Sequence, residues 1–159
     1  MTWQLRRATL DDLDAVMAIE TTTFADDAWS PEIMRAELAD RNGYYLVAFP
    51  PERPDQIEAY AGLRSPRRQP QADIQTIAVV ASARRQGLGR VLMQRMIAEA
   101  RDRGATELFL EVRADNPTAE ALYISLGFEQ LAQRPNYYGA GLDALVMRLT
   151  IHEPEVTVA

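Results

Sequence analysis

The sequence predicts a mixed α/β domain, with a largely antiparallel sheet of about seven strands and one strand–helix–strand crossover near its centre. Three observations predict it. Alternating apolar runs and stretches of helical spacing follow one another as strand, two helices, three strands, helix, strand, helix, two strands. A glycine- and arginine-rich turn, "ARRQGLGR" at positions 83 to 90, joins a strand-like run to a helix-like run. The 159 residues suffice for one well-buried domain, and no internal repeat or linker divides them. That domain is expected over 1–151, with a disordered tail over 152–159.

"TWQLRRA" alternates as a first strand. Thr9-Leu10-Asp11-Asp12 has the form of a capping box, and the helix behind it carries Leu13, Val16 and Met17 on one face. Ser30 and Pro31 supply the N-cap and first-turn proline of a second helix over 31–40, with Ile33, Met34 and Leu38 inward. Asn42-Gly43 turns into the strand "YYLVAF", and "PPERPD" turns that into its hairpin partner "QIEAYAGLR". After the loop "SPRRQP" comes the strand "ADIQTIAVV". The helix after the glycines has an apolar stripe of Leu88, Val91, Leu92, Met96 and Ala100, and Gly104 stops it. "TELFLEV" is a strand, and Asn116-Pro117 opens a helix through "TAEALYISL". "FEQLA" and "LDALVMRL" then close the sheet around the loop "QRPNYYGAG".

Composition removes several kinds of function. No run approaches the roughly 18 apolar residues of a membrane span. "MTWQLRRATLDD" lacks the features of a signal peptide, which predicts a cytoplasmic protein. The absence of cysteine excludes disulfides, thiolate metal sites and cysteine nucleophiles. The only histidine, His152, falls in the expected tail, so neither a Ser-His-Asp triad nor a histidine zinc site is expected, and no metal. A net charge of −6 argues against nucleic acid as a partner and suits a cationic substrate.

The turn is the most informative stretch. A strand feeding a glycine-rich turn into a helix brings unpaired backbone N–H groups and the positive end of the helix dipole to one point, which suits a phosphate. Gly87 and Gly89 let the backbone approach such a ligand, and Arg84, Arg85 and Arg90 add charge. A dinucleotide fingerprint needs a third glycine where Leu92 stands, and no Gly-Lys-Ser/Thr tripeptide marks a nucleotide triphosphate loop. On spacing alone, a plain surface turn remains the alternative.

The run Arg84-Arg85-Gln86-Gly87-Leu88-Gly89 resembles the acetyl-CoA signature of the GCN5-related N-acetyltransferases, and the element order resembles that fold from end to end, with helices on both faces of the sheet. "LEVRADNPTAEALYISLGF" and "RPNYY" are similar to the RimI group of N-terminal protein acetyltransferases. The resemblance implies transfer of acetyl from acetyl-CoA to a protein N-terminal amine, that of ribosomal protein bS18 above all, by a monomer or weak dimer. It implies Glu111 as general base and Tyr123 as the proton donor to the departing thiolate. It places Ile77, Ala78 and Val79 along the pantetheine arm, the run from Arg84 to Arg90 around the pyrophosphate, and Asn116 on the arm as well. Tyr137 and Tyr138, with Trp29 and Tyr44, are expected to wall the acceptor groove. Taken without the resemblance, Glu111 reads equally as an outward strand carboxylate, Tyr123 as core and Asn116 as an N-cap. Lacking cysteine and a placed histidine, the chain has no obvious carrier for a covalent acetyl group, so direct attack is expected. Two departures stand out: Val80-Ala81-Ser82 where the family often has an acidic residue and a proline, and Pro135 where it often has a basic one. The other readings are an acetyltransferase for a small amine or a lysine side chain, and a non-catalytic acyl-CoA-binding module.

Overall fold

A computed structural model describes residues 2–152; the expected tail from 153 onward lies outside the described residues. Eleven elements follow the predicted order: β1 (Gln4–Arg7), α1 (Leu13–Phe24), α2 (Pro31–Ala39), β2 (Gly43–Phe49), β3 (Ala59–Arg64), β4 (Gln71–Val79), α3 (Leu88–Asp102), β5 (Glu107–Arg113), α4 (Pro117–Ser125), β6 (Glu129–Arg134) and β7 (Ala144–Thr150). The strands form one 7-stranded sheet in the order β1-β2-β3-β4-β5-β7-β6. Only β4 and β5 run parallel, joined by the α3 crossover.

The helices start where local chemistry directs. The Thr9 and Asp12 side chains cap one another's backbone amides ahead of α1. The Ser30 hydroxyl accepts from the Ile33 amide at 3.2 Å, with Pro31 in the first turn of α2. Alternation in the strands then divides the core between two faces. Leu46, Ala48, Ala61, Leu63, Leu108 and Leu110 pack against α3, while Tyr45, Val47, Tyr60 and Ala78 pack against Val16 and Ile19 of α1 and Met34 of α2. Two inward assignments are corrected here. Val91 and Ile33 are 41% and 51% exposed; Met93 takes the α3 place expected of Val91, because the buried stripe winds one position further round the helix.

Two features of the centre shape the site. Opposite Gly62 and Leu63 the register jumps from Thr76 to Ile74, so Gln75 bulges out of β4. The Tyr45 ring lies directly over Gly62, where any side chain would collide with it. The second feature is the brevity of the parallel pairing. β4 and β5 are bonded only from Gln71–Asp73 to Glu107–Phe109, after which each keeps a partner on its outer side alone and the two part as a fork.

The expected groove residue Tyr44 lies elsewhere. Its ring sits 4.6 Å from the Arg7 guanidinium and 5.7 Å from that of Arg103. Arg103 is 5% exposed and donates to the carbonyls of Asn42, Ser65 and Gly43, tying the end of α3 to β2 and the loop after β3. Replacing it by methionine leaves those carbonyls without their donor. The expected loss is about 2–4 kcal/mol by urea denaturation, since a buried polar group left unpaired costs about 1–3 kcal/mol.

Candidate active site

The fork opens into a cleft of about 1320 Å³ that crosses the sheet. Its two mouths differ in chemistry because β5 alternates. Leu108, Leu110 and Val112 face α3, so Phe109, Glu111 and Arg113 face the opposite side, toward α1 and the loop after β6.

On the α3 side, the turn before the helix has the form expected of an anion cradle. Arg85 and Gly87 both hold positive φ, at 65° and 77°. No backbone amide from Arg85 to Arg90 finds an acceptor among the described residues; the first helical bond runs from the Val91 amide to the Gly87 carbonyl. Arg84, Arg85, Gly87, Leu88, Gly89 and Arg90 line the cleft there, and Arg90 donates to the Ser125 hydroxyl at 2.7 Å. The two glycines differ. A Cβ on Gly87 meets nothing within 4 Å, so its requirement is conformational. A Cβ on Gly89 would meet only Leu122, at 3.4 Å, an ordinary contact, so α4 alone does not demand a glycine there. Gln86 turns away and reaches the Ser82 carbonyl at 3.5 Å. Asn116 caps α4 by accepting from the Ala119 amide at 3.2 Å and lines the cleft as well.

Tyr123 reaches the fork from α4 and is 6% exposed, its ring 6.0 Å from that of Phe128. Burial is the main force that pushes its phenol up to about 12. Ile77, Ala78 and Val79 form the β4 wall, and the Val79 carbonyl accepts from Arg84 Nε at 3.0 Å.

On the other face, Glu111 lies 3.1 Å from the Arg134 guanidinium. The same carboxylate acts on the Tyr137 phenol and raises its pKa. Tyr137 and Tyr138 stack edge to face with centroids 5.0 Å apart, and both line the cleft with Trp29. Arg113 sits over the Tyr138 ring at 5.5 Å and bridges Asp27 at 2.7 Å and Asp115 at 2.9 Å.

Nearly all the sequence-derived residues therefore meet in one cleft; Tyr44 and Gln86 do not line it. The sequence reading missed Arg113, Arg134, Asp27 and Glu20. One of these carried a signal: Glu20 completes the i, i+3, i+4, i+7 stripe begun by Leu13, Val16 and Met17, a charge in an apolar row.

This geometry belongs to a known class. The family model "Acetyltransferase (GNAT) family" matches residues 13–128, and the chain belongs to that family. It is an acetyltransferase by that membership, and acetyl-CoA is the cosubstrate that the sequence resemblance implies. Within the family, it is 34% identical over 132 residues to the N-alpha-acetyltransferase RimI of Mycobacterium tuberculosis, covering 81% of this chain and 80% of that one. An uncharacterized Mycobacterium leprae protein is 37% identical over 141 residues, 86% of this chain; the chain spans only 38% of that protein's length. The crystal structure of the Escherichia coli ribosomal-protein-S18-alanine N-acetyltransferase superposes with a TM-score of 0.85 at 30% identity, over 99% of both chains.

The residues fit the cosubstrate, because unpaired amides and arginines converge where a pyrophosphate would lie. Among the described residues no group of three or more His, Asp or Glu is gathered to hold a metal. In Gly87→Val the left-handed conformation costs about 1–2 kcal/mol per residue, so the free turn relaxes and binding has to restore the cradle at that cost. Acetyl-CoA affinity is expected to fall about tenfold or more by calorimetry in a protein that still folds, since 1.4 kcal/mol is about tenfold. Unchanged affinity would remove the turn from the binding site.

Proposed function

We propose that the protein acetylates the α-amine of protein N-termini in the cytoplasm, with the N-terminal alanine of ribosomal protein bS18 as its natural acceptor. The observation that carries this reading is the placement of Glu111 and Tyr123 on opposite sides of β5 at one opening in the sheet. An acceptor entering past Tyr137 and Tyr138 meets a carboxylate. A thioester threaded between β4 and α4 ends beside a protonated phenol. The names of the Mycobacterium tuberculosis and Escherichia coli relatives support the same acceptor class.

The amine attacks the acetyl carbonyl carbon as a neutral group. The new C–N bond forms, the C–S bond breaks, Glu111 takes the proton that nitrogen gives up, and the Tyr123 hydroxyl supplies one to sulfur. A weak base suffices, because an α-amine has a pKa of about 7.7–8.0 against about 10.4 for lysine. Tyr123 suits its part through burial: a phenol pushed up to about 12 stays protonated across the working range. The cradle amides and the arginines hold the phosphates, and Ile77, Ala78, Val79 and Asn116 hold the arm.

Mass spectrometry of peptides incubated with acetyl-CoA tests the reading. A peptide beginning Ala-Arg should be acetylated on its α-amine, and blocking that amine should abolish the reaction even when an internal lysine is offered. Comparable acetylation of the lysine would establish the lysine reading instead. In the same assay Glu111→Gln should lower kcat/KM by about 10²–10⁴ at pH 7, the usual contribution of a positioned base. That loss should shrink as pH rises and the amine deprotonates unaided.

Tyr123 also sets the alkaline behaviour. An acid with its pKa at about 12 is present in full well above pH 10, whereas an ordinary tyrosine is half ionised at about 10. The kcat/KM profile, which reports the free enzyme, is therefore expected to show no falling limb up to about pH 10. A limb centred at pH 9 to 10 would take the proton-donor role from this residue.

A further inference from the structure

Glu20 is the most deeply buried carboxylate recorded in the chain, at 2% exposure, and it lines the acceptor side of the cleft. Its oxygens are both held. Oε1 accepts from the Tyr60 hydroxyl, and Oε2 accepts from the Trp29 amide at 3.0 Å. The Thr76 hydroxyl stands 3.4 Å from that of Tyr60, so the group is anchored to β3, to β4 and to the link between α1 and α2. All of these partners are neutral. Among the described residues no arginine or lysine forms an ion pair with Glu20, whereas Glu111 across the fork has Arg134.

A buried carboxylate without a counter-charge costs several kcal/mol relative to a neutral residue of the same shape. A glutamine at this position could still accept a hydrogen bond, and an apolar residue would continue the α1 stripe. The charge is matched only when something cationic or rich in N–H groups enters the cleft. Two accepted hydrogen bonds leave an ionised carboxylate with further lone pairs to offer.

We propose that Glu20 is a second acceptor-binding residue, which holds one N–H of the incoming amine from the β4 side of the fork while Glu111 faces it from the β5 side. The inference rests on the α-amine reading above and sharpens it to primary amines. The attacking amine is neutral, and a primary one carries two hydrogens and a lone pair. One hydrogen faces Glu111, which takes it as the C–N bond forms; Glu20 holds the other, and the lone pair is aimed at the acetyl carbonyl between them. A neutral N-methylated α-amine has a single hydrogen, so it cannot engage both carboxylates while presenting its lone pair in the same orientation.

The test compares kcat/KM for two peptides, one beginning with alanine and one with N-methylalanine, in the wild type and in Glu20→Gln. The wild type should favour the primary amine. The variant should lose about 10- to 100-fold on the primary amine, as expected for a lost hydrogen bond to a charged group, and much less on the methylated one, narrowing the ratio. Acetyl-CoA affinity by calorimetry should not change. A general loosening of α1 would lower both peptides together and leave the ratio as it was; that result overturns the proposal. Tyr60→Phe, which keeps the ring and releases Oε1, provides a second reading should Glu20→Gln fail to fold: the ratio should narrow again, to a smaller extent, and an unchanged ratio there overturns it equally. Acetylation of internal lysine alone in the wild type would overturn the α-amine reading, and this inference with it. Acetylation of α-amines with a ratio indifferent to Glu20 overturns only this inference.

Discussion

Backbone hydrogen bonds between β4 and β5 stop after Asp73 and Phe109, and the rest of the site follows from that interruption. Two parallel strands that separate inside a sheet leave inward-facing N–H and C=O groups that water or a ligand must satisfy. The bulge at Gln75 is the local cause on the β4 side, because an extra residue bends its strand and strengthens its twist. It also resets the alternation. Ile74 packs toward α3, yet Thr76 and Ala78 point toward α1, a switch that an unbroken period of two forbids. Antiparallel partners on the outer sides, β3 and β7, keep the strands rigid as they diverge.

An opening through a sheet has two mouths, and this chain gives them opposite charge. Arg84, Arg85 and Arg90 gather at the α3 mouth, reinforced by the positive end of the helix. Glu20, Asp27, Asp73 and Glu111 line the other and outnumber Arg113 and Arg134 there. The net charge of −6 conceals this division, since a sum over the chain carries no positions. On the proposed reading, the division suits an anionic cosubstrate and a cationic acceptor in one cleft.

What the sequence made legible follows the length scale of the signal. Element order, the glycine-rich turn before α3 and the N-caps are local, and each was readable from a window of a few residues. Glu111 and Tyr123 were readable only through resemblance, since a glutamate in "LFLEV" and a tyrosine in "ALYISL" fit ordinary strand and core positions. Tyr44 was misplaced because its environment is made by Arg7 and Arg103, residues distant in the chain. Arg134 gave no signal, since its partner Glu111 lies across β7, two strands away in the sheet order. Glu20 did give one: a charge in an apolar stripe marks either a mistaken helix face or a buried group with a use.

The acceptor wall depends on one further contact that no short window reveals. Arg113 ends β5 and bonds Asp27, from the turn after α1, and Asp115, from the loop that leads into α4, with the Tyr138 ring beneath it. The pair with Asp27 is only part-buried, so as an isolated ion pair it would contribute little. Its effect is geometric, because it ties the link between the first two helices to the strand that carries Glu111. Trp29 belongs to that same link, and its amide holds Glu20. The two cleft carboxylates are therefore fixed to one connected frame, Glu111 through β5 and Glu20 through the link that Arg113 fastens to it. Among the described residues Arg84 to Arg90 form no hydrogen bond or ion pair with Arg113 or Asp27, so the turn before α3 does not depend on this contact for its polar partners. On the proposed reading, acceptor and cosubstrate binding are built on different parts of the fold that meet at the fork.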